Sequence, residues 1–317
     1  YDKIEVGDKM IKTIFMGTPD FAVPILETLI ELTSVSLVVT QPDKYVGRKK
    51  VLTASPIKEC ALLHDIPVFQ PEKIKEDYEE LKKFEPDLIV TCAYGQIVPA
   101  GVLDIPRLGC INVHASLLPK YRGGAPIHHA IMNGEEETGI TIMYMDEGMD
   151  TGDMISSCKI KIEENDTTES LHDKLSNIGA SLLKETLPSI IDKTNAREKQ
   201  NNEEATYAPI IKREMEHLDF HDEARNIHNK VRGLYSHPLA HFLLNHEEIK
   251  VLEGYIGGNS TKEAGIIEDI KKDAIGVACT DKIYYITKLK PFGKKAMNAK
   301  DYLNGMKKEE LLNKKVS

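Results

Sequence analysis

The stretch IKTIFMGTPDFAVPILETLIELTSVSLVVT, residues 11–40, decides the fold class. Residues 11–16 form an apolar run of strand character. Gly17-Thr18-Pro19 then turns the chain, and Phe21, Ile25, Leu29 and Leu32 recur at helical spacing. Thr18 is placed to cap that helix and Pro19 to fill its first position. Residues 35–40 read as a second strand. A strand, a helix and a strand in that order imply a parallel pair joined by a right-handed crossover. The alternation continues outward, with a helix from Ser55-Pro56 to about His64, a short strand at 67–69, a helix at 74–84, and strands at 88–92 and 110–114. The expectation is an α/β fold with an open, Rossmann-like, parallel-rich sheet, whose ligands lie beyond the strand C-termini. Neither G-x-G-x-x-G nor G-x-x-x-x-G-K-[ST] occurs, so a dinucleotide or P-loop nucleotide reading finds no support.

At the end of the last of these strands stands GCINVHASLLPKYRGGAPI, residues 109–127. Side chains alternate along a strand, so Asn112 and His114 share a face. A neutral amide beside a group that titrates near pH ~6.5 suits acyl transfer, where a carbonyl oxygen gains charge and a proton must move. The loop behind them has two prolines and a glycine pair, which let the backbone approach a ligand closely. Alone, Asn-x-His describes many polar strand edges.

The run NVHASLLPKYRGGAPI, with Thr138-Gly139 and MDEGMDTGDMI (145–155), resembles the signature of formyltransferases that use 10-formyltetrahydrofolate. The resemblance implies a catalytic trio of Asn112, His114 and Asp150, and a folate-contacting loop at Ser116, Leu117, Leu118 and Pro119. Asp146 and Asp153 read as structural; the spacing does not meet that of an EF-hand. PDKYVGRKK (42–50) resembles the loop by which tRNA-directed members of the family reach the tRNA acceptor end, implying phosphate contacts from Arg48, Lys49 and Lys50. Without the resemblance, four charges in a turn are a solvated basic loop.

Residues 166–191 read as an amphipathic helix that opens with Asp166-x-x-Glu169, a capping-box pattern, and buries Leu171, Leu175, Ile178 and Leu182. DKTNAREKQNNEE (192–204) is almost free of apolar residues and reads as a linker. Beyond it come one helix at 224–234 and strand-like runs at 241–244, 249–256, 274–279 and 283–289, the pattern of a small β-barrel. TYAPIIKREMEHLDF, RNIHNKVRGLYSHPLAHF and AKDYLNG resemble the C-terminal OB-like domain of methionyl-tRNA formyltransferases. The expected division is therefore residues 1–9 as a leader or expression remnant, 10–191 catalytic, 192–206 linker, and 207–317 an OB-like domain contacting tRNA.

Composition sets the remaining bounds. No apolar run approaches membrane-spanning length, and no signal peptide is visible. The five cysteines are scattered without C-x-x-C, as in reduced thiols of a cytoplasmic protein. The net charge of −9 argues against broad nonspecific nucleic-acid binding. From Tyr207 onward, however, 19 Lys and Arg face 16 Asp and Glu, a net of +3 that leaves −12 for the rest. His217/His221 and His237/His241 have i,i+4 spacing but no completing ligand, so no metal is expected. The resemblance implies formyl transfer to the α-amine of methionyl initiator tRNA by a monomer, with 10-formyltetrahydrofolate as cosubstrate. A formyltransferase for an amino sugar nucleotide or other small amine, and a non-catalytic RNA-binding relative, are the alternatives.

Overall fold

The computed structural model describes residues 3–6, 9–47 and 49–317. By contacts the chain forms two compact units. The first comprises 1–126, 138–160 and 172–209; the second comprises 127–137, 161–171 and 210–317. The stretches 127–137 and 161–171, which the sequence reading places in the catalytic domain, thus pack with the second unit. Before Met10, Glu5–Val6 pairs with Lys9–Met10, and the Ile4 amide donates to the Leu32 carbonyl; residues 1, 2, 7 and 8 lie outside the described residues.

The first unit is built on a seven-stranded sheet. Its strands are β1 (Lys12–Gly17), β2 (Ser34–Val39), β3 (Val68–Phe69), β4 (Leu88–Cys92), β5 (Cys110–His114), β6 (Glu137–Tyr144) and β7 (Met154–Lys161). Their order is β7-β6-β5-β4-β1-β2-β3. β1 pairs in parallel with β2 and β4, β4 with β5, and β2 with β3, while β6 runs antiparallel to β5. Every residue of β4 is buried, as a strand covered on both faces requires. Connections run outward from β1 to β2 and β3, then return to β4 on its other side. The crevice at this reversal is where open sheets bind ligands.

Helix α1 (Val23–Leu32) buries Ile25, Leu26, Leu29 and Leu32, as the spacing predicts. Thr18 does not cap it. Its hydroxyl donates to the Tyr94 carbonyl (2.8 Å) and accepts from the Gln41 amide, tying together the ends of β1, β2 and β4. Helix α2 spans Pro56–Leu63, capped by Ser55. The helix expected over 74–84 is two single turns, Ile74–Asp77 and Glu79–Lys82. β7, unread in the sequence, ends the sheet order; its exposure alternates and Lys159 and Lys161 break its apolar pattern. Helix α3 (Pro126–Met132) follows the signature loop. Helix α4 (Thr168–Ile191) is capped one residue later than expected, by Thr167 and Ser170, each hydroxyl accepting the other's amide.

The second unit carries helix α5 (Ala224–Gly233) against a sheet ordered β8 (Ala240–Leu244), β9 (Glu247–Asn259), β12 (Lys282–Pro291), β11 (Ile275–Ala278), β10 (Ile267–Ile270). Ile227, Val231, Phe242, Val251, Tyr284 and Ile286 share its core. The last residues bridge the open edges. Leu243 of β8 exchanges backbone bonds with Ser317, and Ile267 of β10 does so with Asn313 and Lys314, which closes the sheet into the expected barrel.

Candidate active site

β5 delivers Asn112 and His114 to the C-terminal edge of the parallel sheet. Its register sets Asn112 opposite Thr91 on one side and Met143 on the other, and His114 opposite Thr141. The buried Thr91 hydroxyl donates to Asn112 Oδ1 at 2.8 Å. An amide oxygen accepts and an amide nitrogen donates, so this bond decides which end of Asn112 is left for a ligand. Among the described residues, Asn112 Nδ2 has no hydrogen-bond partner: the site holds a spare donor, which fits a carbonyl oxygen.

His114 is buried, with Nε2 2.9 Å from the Tyr121 carbonyl. A carbonyl only accepts, so Nε2 carries the hydrogen and, in the neutral ring, Nδ1 is the bare nitrogen. Nδ1 faces Asp150 Oδ2 at 3.7 Å, beyond direct hydrogen-bond length, while the same oxygen accepts the Gly123 amide at 2.8 Å. The ring is thus oriented chiefly through the Tyr121 carbonyl, and Asp150 supplies negative charge beside Nδ1. Gly123 has φ +115, and a Cβ there would lie 2.8 Å from the Ala208 carbonyl oxygen, so only glycine brings that amide to the carboxylate.

Of the residues expected to contact folate, Ser116 and Leu118 are buried, with their polar groups already used. Ser116 Oγ donates to the Lys120 carbonyl, the Leu118 amide donates to Thr141 Oγ1, and Thr141 Oγ1 donates to the Ser116 carbonyl. Leu117 and Pro119 are half-buried and offer the loop's apolar surface. The acidic turn sorts as expected for its outer members: Asp146 accepts from the Gly148 amide and the Thr151 hydroxyl, and Asp153 pairs with Arg197.

The basic loop is a hairpin, Lys44–Val46 against Val51–Thr53, leaving the sheet after β2 at the same edge as the trio. Lys49 and Lys50 are exposed; Arg48 lies outside the described residues. Tyr45, Val46, Val51 and Leu52 are exposed as well. The histidine pairs regroup: His217 faces His241, ring centroids 5.6 Å apart, one from each i,i+4 pair. Among the described residues, no group of three or more His, Cys, Asp or Glu is placed to hold a metal ion, and no helix is long and apolar enough to cross a membrane.

Sequence reasoning missed the supports of the site: Thr91, Thr141, Tyr121, Arg122 and Gln200. Threonine is ordinary in a strand, so nothing marked Thr91 or Thr141. Arg122 lay within the signature, but its burial at 2% exposure shows only in the structure.

Residues 10–187 match the family described as formyl transferase, and residues 210–307 match the formyl transferase C-terminal domain. The chain is 51% identical over 308 residues to a methionyl-tRNA formyltransferase of Staphylococcus epidermidis, covering 96% of this chain and 99% of that one. It is also 51% identical over 301 residues to the enzyme of that name from Bacillus subtilis, covering 93% and 95%. Among solved structures, the sugar 3N-formyl transferase WlaRD superposes with a TM-score of 0.67 at 23% identity, over 90% of this chain and all of that one. An N-formyltransferase from Helicobacter canadensis gives 0.67 at 24% identity, over 87% and 99%. The likeness to these two is one of fold. From the matched models and the half-identical relatives together, the chain belongs to the formyl transferase family.

Proposed function

We propose that this protein transfers the formyl group of 10-formyltetrahydrofolate to the α-amine of methionyl initiator tRNA, with Asn112, His114 and Asp150 as the reacting trio. The observation that carries the reading is the approach of Asp150 to His114 Nδ1, beside an Asn112 whose amide nitrogen is left spare. The cosubstrate supplies a formyl group activated on nitrogen. As the amine attacks, Asn112 Nδ2 donates to the formyl oxygen while charge develops there, worth roughly 10²–10³ in rate. His114 takes the amine's proton at Nδ1, since Nε2 is committed to Tyr121, and returns it to the departing nitrogen, worth roughly 10²–10⁴. Asp150 stabilises the imidazolium that exists between these two transfers. Leu117 and Pro119 flank the folate, and Arg48, Lys49 and Lys50 meet tRNA phosphates. The unit around the seven-stranded sheet does the chemistry and the barrel contacts tRNA. The protein acts as a cytoplasmic monomer, which light scattering of the purified chain checks.

One assay tests the reading. Purified protein and 10-formyltetrahydrofolate are offered methionyl initiator tRNA, free methionine, or an amino sugar nucleotide. Formylation of the tRNA substrate is expected, with loss in Asn112→Ala, His114→Ala and Asp150→Ala, each still folded. Preference for the sugar nucleotide overturns the substrate, and full activity in any variant removes that residue from the trio.

A further inference from the structure

The polar segment at 198–208, expected as linker up to residue 206, holds both the carboxylate and the imidazole in place. Glu198 exchanges backbone bonds with Met154 at the start of β7. Gln200 then spends its whole amide. Nε2 donates to the carbonyls of Asp150 and Gly152, both at 2.8 Å, and Oε1 accepts Nε and Nη2 of Arg122 at 3.0 and 2.8 Å. Arg122, buried, also reaches Asn202 Oδ1 at 2.9 Å. Both hydrogens and both lone pairs of Gln200 are used, so its orientation is determined.

Asp150 requires such a hold. Its φ is +54, in the left-handed region that side chains rarely adopt without outside support. Relaxation of that residue would carry Oδ2 away from both Gly123 and His114. Thr206 acts on the other partner. Its hydroxyl accepts the Tyr121 amide at 2.8 Å and its carbonyl accepts the Arg122 amide at 2.9 Å. Tyr121 is itself left-handed, at φ 59, and its carbonyl receives His114 Nε2. Ala208 completes the clasp, donating to the Arg122 carbonyl and accepting the Ala125 amide.

We infer that Gln200 and Thr206 are positioning residues for formyl transfer, Gln200 setting the carboxylate of Asp150 and Thr206, through Tyr121, setting the ring of His114. The inference rests on the trio reading above. It differs from a merely structural role in one respect: the segment's contacts govern the geometry of reacting groups rather than only the stability of the fold.

The decisive variant is Gln200→Glu, which keeps the acceptor for Arg122 but has no hydrogens to give Asp150 and Gly152. Steady-state kcat and KM for both substrates are measured with the thermal midpoint, in the natural chain and on an Asp150→Ala background. Gln200→Glu is expected to lower kcat roughly 10- to 100-fold, the penalty of an ångström-scale misplacement. Both KM values should stay nearly unchanged while the midpoint falls by about a few degrees, since two carbonyls lose their donor, and the substitution should lower kcat no further once Asp150 is alanine. Thr206→Val, tested independently, should lower kcat and displace its pH profile, because the ring's anchor is altered. Natural kcat in both variants, or equal losses with and without Asp150, overturns the inference. Full activity of Asp150→Ala is a different result: it overturns the trio itself.

Discussion

His114 and Asp150 face each other across 3.7 Å, Nδ1 to Oδ2, while the opposite ring nitrogen is closed off by the Tyr121 carbonyl. The arrangement leaves Nδ1 turned toward a carboxylate that Gly123 also holds.

From this comes a prediction for Asp150→Asn. The amide can still accept from Gly123, so the turn should persist, but the negative charge beside Nδ1 is gone. We expect kcat to fall roughly 10²-fold or more with the thermal midpoint within a few degrees of the natural chain, since an oriented base that loses its counter-charge forfeits most of its catalytic term. Single-turnover formyl transfer checks it; retention of rate removes the charge from the mechanism.

Thr91→Val isolates the orientation of Asn112. The replacement is nearly isosteric and removes the hydroxyl that donates to Oδ1. The amide can then flip and present oxygen, an acceptor, to the formyl oxygen. A kcat reduced roughly 10-fold with KM for folate little changed is the expected outcome, read by initial-rate kinetics. An unaltered kcat means that Asn112 is oriented by something other than Thr91.

For the basic hairpin, Arg48→Ala, Lys49→Ala and Lys50→Ala should each raise KM for tRNA and leave KM for the folate unchanged. Each lost phosphate contact removes released counterions, so a plot of log(kcat/KM) against log salt should become shallower by about 0.7–0.9 per contact. Identical slopes return the hairpin to a solvated loop.

His241 in the barrel unit gives a prediction for stability against pH. Burial, then the charges of Arg213 and His217, push its pKa from 6.5 down to about 4; Glu216 opposes this and Lys250 adds to it. Its Nδ1 is buried with no hydrogen-bond partner among the described residues, 3.9 Å from Glu216 Oε2. The folded state therefore keeps the neutral ring where the unfolded chain would already be protonated. This contribution is fully present above pH 6.5 and is lost as pH falls from 6.5 toward about 4. Urea midpoints of His241→Phe should decline less over that interval than those of the natural chain. Parallel declines contradict the assignment.

How far the fold was legible depends on burial. Central strands such as Leu88–Cys92 are covered on both faces and show as largely apolar runs, so their existence could be read directly. Met154–Lys161 could not, because Ser156 and Ser157 interrupt its alternation of apolar and polar residues and look like loop. Caps shifted because other hydrogen-bond partners were at hand. Thr18 found better use bridging strand ends than capping a helix, and Thr167 with Ser170 took the role expected of Asp166 with Glu169.

By itself the sequence determined the parallel sheet and the second, barrel-forming half, and its long motif carried the resemblance that points to Asn112, His114 and Asp150, because hydrophobic periodicity and a motif are local properties of the chain. Tertiary structure alone decided that His114 Nε2 meets the Tyr121 carbonyl, that Thr91 donates to Asn112, and that Gln200 and Thr206 bond to Asp150 and Tyr121 from a stretch that reads as linker. The physical reason is that a hydrogen bond spanning 50 or 85 residues leaves no period and no composition bias in the chain; it exists only once the backbone brings donor and acceptor to within 3 Å.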